Sequence, residues 1–582
     1  MFNKNKLGKP IFMLMLIVAI GALVRLWGIG FGLPHTQCRP DEDSVVLIVA
    51  SPLRYFHPRD FIYPSLYKYI VLFFYALYFI GGIIFGRFHS INDFIKEFAV
   101  NPANFYLINR IISALFGAAT IVVIYKIARK LFNEKIAVIS SFFLSLAYLH
   151  VKSSHFGVAD IALTFFIACS LFFILESYEN KLLKNYFASG ICAGLATSTK
   201  YPAALLIFTM FIAHFLNCTE VKAKKINYLF DRRMAIFLIV FLLSFLAGTP
   251  FALIDAGNFI REFFSAVKVT SVNSGIYVNP PMQAWWYHLN FSLLFGLGFP
   301  LLFASLAGII VFFNIDWRRA LILCSFPFVY YSVFANGFVP MTRYMVPLVP
   351  FLCLTAALFT FMCVDKILKY FNNKYSTVII SITVLTVIMP SAYNVVLFDK
   401  LLSKKDNRVI AGEWIAKNIP SGSSICQIID NQYAKLQLFP SAQYLVKKYG
   451  LVSRDMRKSG KGKFTLMEIK YKLDYLTDSN IPNYNEWDYH ADSNAFLFVD
   501  TNTDSLPDYI ILNEDFQSGQ GLFSDKLRKI LLHFYHLKKA FPAKRIQGKA
   551  NIYDRFDAFF VPFSGFEGIE RPGPSLWIYE KS

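Results

Sequence analysis

Cysteine is scarce and poorly placed for a scaffold. The chain has 8 Cys in 582 residues, and most lie inside apolar segments (Cys169, Cys192, Cys324, Cys353, Cys363). No Cys-x-x-Cys pair and no Cys/His metal spacing occurs, so neither a disulfide framework nor a zinc site is supported. A continuous basic stripe is also missing. The net charge is +20, but Lys and Arg fall between apolar runs, which is the pattern of basic membrane loops and not of a nucleic-acid surface. The first apolar run has no small-residue cleavage site and leads into further apolar runs. It reads as a retained helix, not a removed signal peptide.

What is present is apolar. Hydrophobic residues make up 55%, with 62 Phe and 32 Tyr, and mean hydropathy is +0.45. This is the composition of a polytopic membrane protein. Apolar runs fall near 11–31, 64–85, 105–125, 136–151, 158–176, 186–217, 234–254, 291–313, 320–336, 344–364 and 376–397. The run 186–217 is too long for one span and is interrupted at Lys200-Tyr201-Pro202, so it is predicted to form two helices. After residue 397 charged residues alternate with short apolar stretches such as 424–428 and 508–512. Residues 398–582 are predicted to be a soluble α/β domain, with 1–397 as the membrane module.

Basic clusters at Lys126/Arg129/Lys130/Lys135, Lys181/Lys184, Lys222 to Arg233, Arg318/Arg319 and Lys366 to Lys374 are expected on the cytoplasmic side. Those assignments conflict if 64–85 crosses. The expectation is therefore about eleven crossings, with 64–85 lying in the interface within a long outer loop, 32–104. The C-terminal domain is then outside. The same parity collects Asp41, Glu42, Asp43, Arg54, Arg59, Asp60, His155, Asp160, Lys200, Asp255, His288 and Arg343 on the outer face.

Three carboxylates at Asp41-Glu42-Asp43 beside a membrane call for a partner, a cation or a reaction. A carboxylate of this kind takes a proton from an attacking hydroxyl. Asp43 reads as a solvated or capping charge. Asp160 suits a helix N-cap, and if it faces Asp41 the two are candidates for a divalent cation. His155 is a candidate ligand or hydrogen-bonding group, with a satisfied interfacial histidine as the commoner reading. Lys200 and Arg343 are two candidate phosphate-binding cations, and Lys200 equally suits snorkelling to the surface.

The order of these motifs resembles the GT-C fold glycosyltransferases that use polyprenyl-phosphate sugars, in the branch of the protein O-mannosyltransferases and aminoarabinose transferases. The resemblance runs over nearly the whole chain. It is carried by Asp41-Glu42, by Tyr63-Pro64-Ser65-Leu66-Tyr67-Lys68-Tyr69, and by Asn109-Arg110. It continues through Ser153 to Asp160, Gly190 to Tyr201, Arg343-Tyr344 with Pro347, Asn407-Arg408, and Arg571-Pro572-Gly573-Pro574. It implies transfer of a sugar from a prenyl monophosphate to an acceptor hydroxyl on a protein, lipid or glycan, outside the cytoplasm and with inversion. It implies Asp41 as base and maps the family's second-loop aspartate to Asp160; the residues themselves place Glu42 in support and Lys200, Tyr201, His155 and Arg343 at the substrate. Ile62 and Tyr63 stand where aminoarabinose transferases carry Glu-Lys, which counts against a lipid A acceptor. Two other readings remain open at this stage. One is a lipid-linked-sugar flippase, which would show paired broken spans. The other is a non-catalytic envelope assembly factor.

Overall fold

The structure, a computed structural model, describes residues 4–49, 57–58, 61–219, 231–271, 281–337, 340–369, 375–420, 423–429, 436, 465–470, 507–513, 531–545, 551–554, 557 and 559–582. Arg54, Arg59, Asp60 and the basic residues 222–225 lie outside them. The main helices are α1 (Lys4–Leu26), α2 (Glu42–Val49), α3 (Leu66–Ile84), α4 (Ile91–Val100), α5 (Ala103–Leu131), α6 (Glu134–Ser145), α7 (Tyr148–Ser154), α8 (Asp160–Asn180) and α9 (Leu183–Thr199). They continue with α10 (Leu206–Thr219), α11 (Arg232–Gly248), α12 (Ala256–Ser271), α13 (Pro281–Tyr287), α14 (Phe299–Ile315), α15 (Trp317–Ala335), α16 (Val349–Leu368), α17 (Ser376–Leu402) and α18 (Asn407–Asn418). The strands are β1 (Ser424–Ile429), β2 (Thr465–Lys470), β3 (Tyr509–Asn513), β4 (Tyr535–Phe541) and β5 (Leu576–Lys581). The chain divides into two compact units. One comprises 1–29, 44–76 and 108–399; the other comprises 30–43, 77–107 and 400–582.

The first unit is a helical membrane bundle. Among the described residues, five helices are long and apolar enough to cross a membrane, or seven if each of two bent pairs is one span. The sequence led us to expect about eleven crossings. Several of the apolar runs end up on shorter helices, because breaks divide them. The run 186–217 breaks at Lys200 as predicted, leaving 17 residues in α9 and 14 in α10. The run 291–313, predicted as one helix, is instead broken at Gly298, where the chain turns by 116°. Gly298 has φ +81° and Pro300 follows it at the start of α14. Only glycine takes that backbone conformation without strain. Helix α3, expected to lie in the interface, is by length and composition long enough to cross.

A third break separates α6 from α7 by 55°. It frees carbonyls inside an apolar bundle, where each unsatisfied group is costly. Arg25 of α1 answers them. Its guanidinium donates to Leu144 O and Ser145 O at 3.1 Å each, to Gly21 O at 2.7 Å, and to the Ser154 hydroxyl at 3.2 Å. Close helix contact supplies the rest of the packing. A Cβ at Gly194 of α9 would stand 2.4 Å from the Phe241 carbonyl oxygen of α11, and one at Gly190 would stand 2.8 Å from that of Phe237. These two glycines, one turn apart, let the backbones of α9 and α11 touch.

The second unit contains the soluble domain. Its sheet is mixed, in the order β2-β1-β3-β5-β4. Strand β1 runs parallel to β2 and β3, while β5 is antiparallel to β3 and β4. The predicted strands at 424–428 and 508–512 appear as β1 and β3. Ala411 and Ile415 of α18 pack with Ile425, Ile511 and Ile578 to form its core. Helix α17 runs to Leu402, and the second unit resumes at residue 400.

Candidate functional site

In the membrane bundle the site is built at a helix break. Helix α9 ends at Thr199 and Lys200 is extended, with φ −158°. Pro202 then opens the short 3-10 turn Tyr201–Leu205, since it supplies no backbone donor and has its φ preset. The break leaves the Lys200 side chain pointing inward. Its Nζ lies 2.8 Å from Asp160 Oδ1, at the first residue of α8, and both side chains are buried. The ammonium also stands 4.8 Å from the Tyr344 ring centroid and 5.6 Å from that of Tyr63. Arg343, beside Tyr344 in the 3-10 turn Thr342–Leu348, is buried with its Nη2 3.0 Å from Met341 Sδ. The bland alternative for Lys200 was a side chain snorkelling to water. It is instead an inward cation in an aromatic and carboxylate cage.

Tyr201 is half-buried. Its hydroxyl donates to Phe61 O at 2.7 Å, and its ring meets Phe263 of α12 edge-on at 4.9 Å. Glu262 of the same helix accepts from the Phe61 backbone N–H. Tyr201 thereby anchors the segment that carries Tyr63. His155 is fully enclosed. Its ring nitrogens face Val151 O at 3.0 Å and Trp27 O at 2.9 Å, and Nε2 lies 3.4 Å from Asp399 Oδ1. Its neighbours are internal protein groups, the surroundings of a structural histidine.

Three motifs that were separate in sequence meet here. The Tyr67 hydroxyl donates to Asn109 Oδ1 at 2.9 Å, and Asn109 Nδ2 donates to Gly157 O at 2.7 Å. Arg110 donates to Ile29 O at 3.0 Å. This chain ties α3 and α5 to the turn that presents Asp160.

The acidic cluster belongs to the other unit. Asp41 has φ +69°, a left-handed conformation that non-glycine residues rarely adopt. Glu42 follows it, buried, as the first residue of α2, and Asp43 shares that first turn. Two acids at a helix start suit its dipole. Of the two expectations for Asp43, a solvated or a helix-capping charge, its place in the first turn of α2 agrees with the second, and its burial departs from the first. Asp43 accepts a hydrogen bond from the Tyr106 hydroxyl. Burial pushes its carboxyl up to about 6, against the pull of that hydrogen bond, with Glu42 and Asp41 adding repulsion. The sequence contained this signal only as three adjacent acids, because Tyr106 lies 63 residues away. Among the described residues no group of three or more His, Cys, Asp and Glu is arranged to hold a metal ion. The Asp160 carboxylate is engaged by Lys200.

Residues 107–245 match the family model of dolichyl-phosphate-mannose-protein mannosyltransferase. An uncharacterized protein of Aquifex aeolicus is 28% identical over 273 residues, which is 45% of this chain and 50% of that one. The chain thus spans about half the length of the curated relative it matches. Among solved structures, ArnT from Cupriavidus metallidurans bound to undecaprenyl phosphate superposes with a TM-score of 0.50 and 13% identity, covering 97% of both chains. The oligosaccharyltransferase of Archaeoglobus fulgidus gives 0.47 and 14%, covering 72% of this chain and 62% of that one. The superposition gives the chain the GT-C glycosyltransferase fold of a multi-pass membrane protein, with a small C-terminal sheet domain among its described residues.

Proposed function

We propose that the protein moves a sugar from a polyprenyl monophosphate to an acceptor hydroxyl on the extracytoplasmic side, with inversion and with Asp41 as the base. The observation that carries this reading is the inward Lys200 at the helix break, held by Asp160 and two tyrosine rings beside a buried Arg343. Buried cations of this kind suit an anionic phosphate group. The fold and the mannosyltransferase match at 107–245 support the same chemistry.

The step balances as follows. The acceptor oxygen bonds to the anomeric carbon as the carbon–phosphate oxygen bond breaks. The electron pair leaves with the lipid phosphate, whose charge Lys200 and Arg343 stabilise. The hydroxyl proton passes to Asp41, with Glu42 in support. Substrate reaches Lys200 in competition with Asp160, which keeps the cation oriented when no phosphate is bound.

The test is an assay in membranes bearing the full chain, with radiolabelled undecaprenyl-phosphate mannose first and other sugars on the same lipid next. Label should pass to an acceptor fraction and free undecaprenyl phosphate should appear. Intact donor crossing the vesicle wall without transfer would establish a flippase and overturn the proposal. Neither outcome with any sugar would favour an assembly role. Orientation has its own check: cysteines placed at 87–104 should label from outside.

A further inference from the structure

We infer that the C-terminal domain is a clamp on the acidic loop, and that the buried Arg39–Asp557 pair positions Asp41 and Glu42 for reaction. This rests on the reading of Asp41 as base. Residues 30–43 and 400–582 belong to one compact unit, and consecutive residues of the loop are held by two separate segments of the domain. Arg39 is fully buried and its Nη2 lies 2.7 Å from Asp557 Oδ1, itself buried. Nη1 also donates to the Asp557 carbonyl oxygen at 3.3 Å. The guanidinium carbon stands 5.8 Å from the Phe559 ring centroid, and Phe31 meets that ring edge-on at 5.7 Å.

The preceding residue makes the second attachment. Cys38 Sγ lies 3.8 Å from Asp406 Oδ2. Asp406 is rigid, because Arg408 grips both its oxygens, at 2.9 and 2.7 Å, and the same carboxylate caps α18. Gly573 closes the far side, where a Cβ would come 2.5 Å from Asp406 Oδ1. The Arg571-Pro572-Gly573-Pro574 motif thus backs the loop anchor, and Pro572 O accepts the Asn407 backbone N–H.

Two facts make this a positioning device and more than a packing contact. Asp41 stands two residues from Arg39, in a backbone conformation that costs about 1 kcal/mol or more and persists only where its surroundings enforce it. Pro40 between them transmits the fixed direction with little slack. A buried ion pair is also a poor way to gain stability, since desolvation offsets attraction, whereas in some proteins such groups fix register, the role inferred for Arg39 and Asp557. Arg39 and Asp557 are positioning residues that act through the loop.

The test uses the full chain in nanodiscs. Asp557→Asn removes the charge and keeps the shape, and Arg39→Lys keeps the charge but loses the two-nitrogen grip. Four quantities are read: transfer kcat, KM for the donor accepted above, binding of undecaprenyl phosphate, and the rate at which maleimide labels Cys38 by peptide mass spectrometry. Asp557→Asn should lower kcat roughly 10- to 100-fold, leave undecaprenyl phosphate binding within about threefold, and speed Cys38 labelling at least about tenfold. Arg39→Lys should give a smaller loss in the same direction, and it decides the matter if Asp557→Asn fails to fold. Unchanged kcat in both folded variants overturns the inference, whether or not Cys38 becomes accessible. A rise in donor KM with kcat unchanged also overturns it. If instead Asp41→Asn retains full activity, the base assignment has failed. Faster Cys38 labelling in Asp557→Asn then still reports the clamp as a contact.

Discussion

The two regions proposed to carry the chemistry solve opposite electrostatic problems. At the helix break, opposite charges meet: Lys200 and Asp160 are buried together at 2.8 Å, and tyrosine rings cover the cation. In the acidic loop, like charges are kept together. Glu42 is buried, Asp43 has its carboxyl pushed up to about 6, and Asp41 occupies a left-handed backbone. The first arrangement is close to neutral and holds itself. The second is costly and needs a frame around it, which the Arg39–Asp557 pair and Tyr106 supply. The difference teaches where fragility should lie. Damage to the frame should disturb the acidic loop at a distance, whereas the cation site should fail mainly through its own two charges.

The largest effect is expected at Asp41. An Asp41→Asn protein should fold and bind undecaprenyl phosphate as before, while transfer falls by about 10² to 10⁴. A single-turnover assay with labelled donor reads it. Retained activity would break the comparison by removing chemistry from the acidic loop. Lys200→Met comes next, with kcat/KM for donor down about 100-fold. That variant also strands a buried Asp160, which costs about 3–5 kcal/mol. Lys200→Met with Asp160→Asn separates the causes: stability should return in a melting assay and donor affinity should not. Recovery of both would reduce Lys200 to a structural partner.

Gly194→Val tests whether the cation site depends on packing alone. The added side chain must push α9 from α11, because its Cβ already falls 2.4 Å from Phe241 O. A loss of about 1–3 kcal/mol is expected, seen as a lower Tm. Surviving molecules should keep the Lys200–Asp160 contact and hence most of their donor affinity.

The parts legible in sequence were those with local causes. The break at Lys200-Tyr201-Pro202 follows from a run too long for one span and a proline inside it. Strands β1 and β3 follow from apolar runs bounded by polar residues. The break at Gly298 was hidden, because an isolated glycine in an apolar run is compatible with either a helix or a turn until its neighbours fix φ. The site was legible as a set of residue types and opaque as a set of pairs. Nothing local joins Asp160 to Lys200, Tyr67 to Asn109 and Gly157, or Asp43 to Tyr106, since each pair is made by tertiary packing. Arg39 carries no signal beside three acids, because its partner Asp557 lies 518 residues on.

The smallest effect is expected at Asp43, and its sign follows from its surroundings. Its native pKa is about 6, raised from 3.8 chiefly by burial. Between those values the folded protein binds the proton more tightly than the unfolded chain does. The contribution to stability is therefore fully present below about 3.8 and is lost as pH rises through 6. Function should move the other way. Once ionised, Asp43 sits beside Asp41 and Glu42, and its charge strengthens a neighbouring carboxylate as a proton acceptor. Transfer by the native protein should then show an acidic limb near pH 6. In Asp43→Asn that limb should vanish, the rate at pH 7.5 should fall by less than about tenfold, and the loss of stability that Asp43 causes as pH rises from about 3.8 to about 6 should disappear. A limb that persists in Asp43→Asn would assign it to another group, and Asp43 would then be a structural acid beside Asp41 and Glu42 in place of a member of a coupled set.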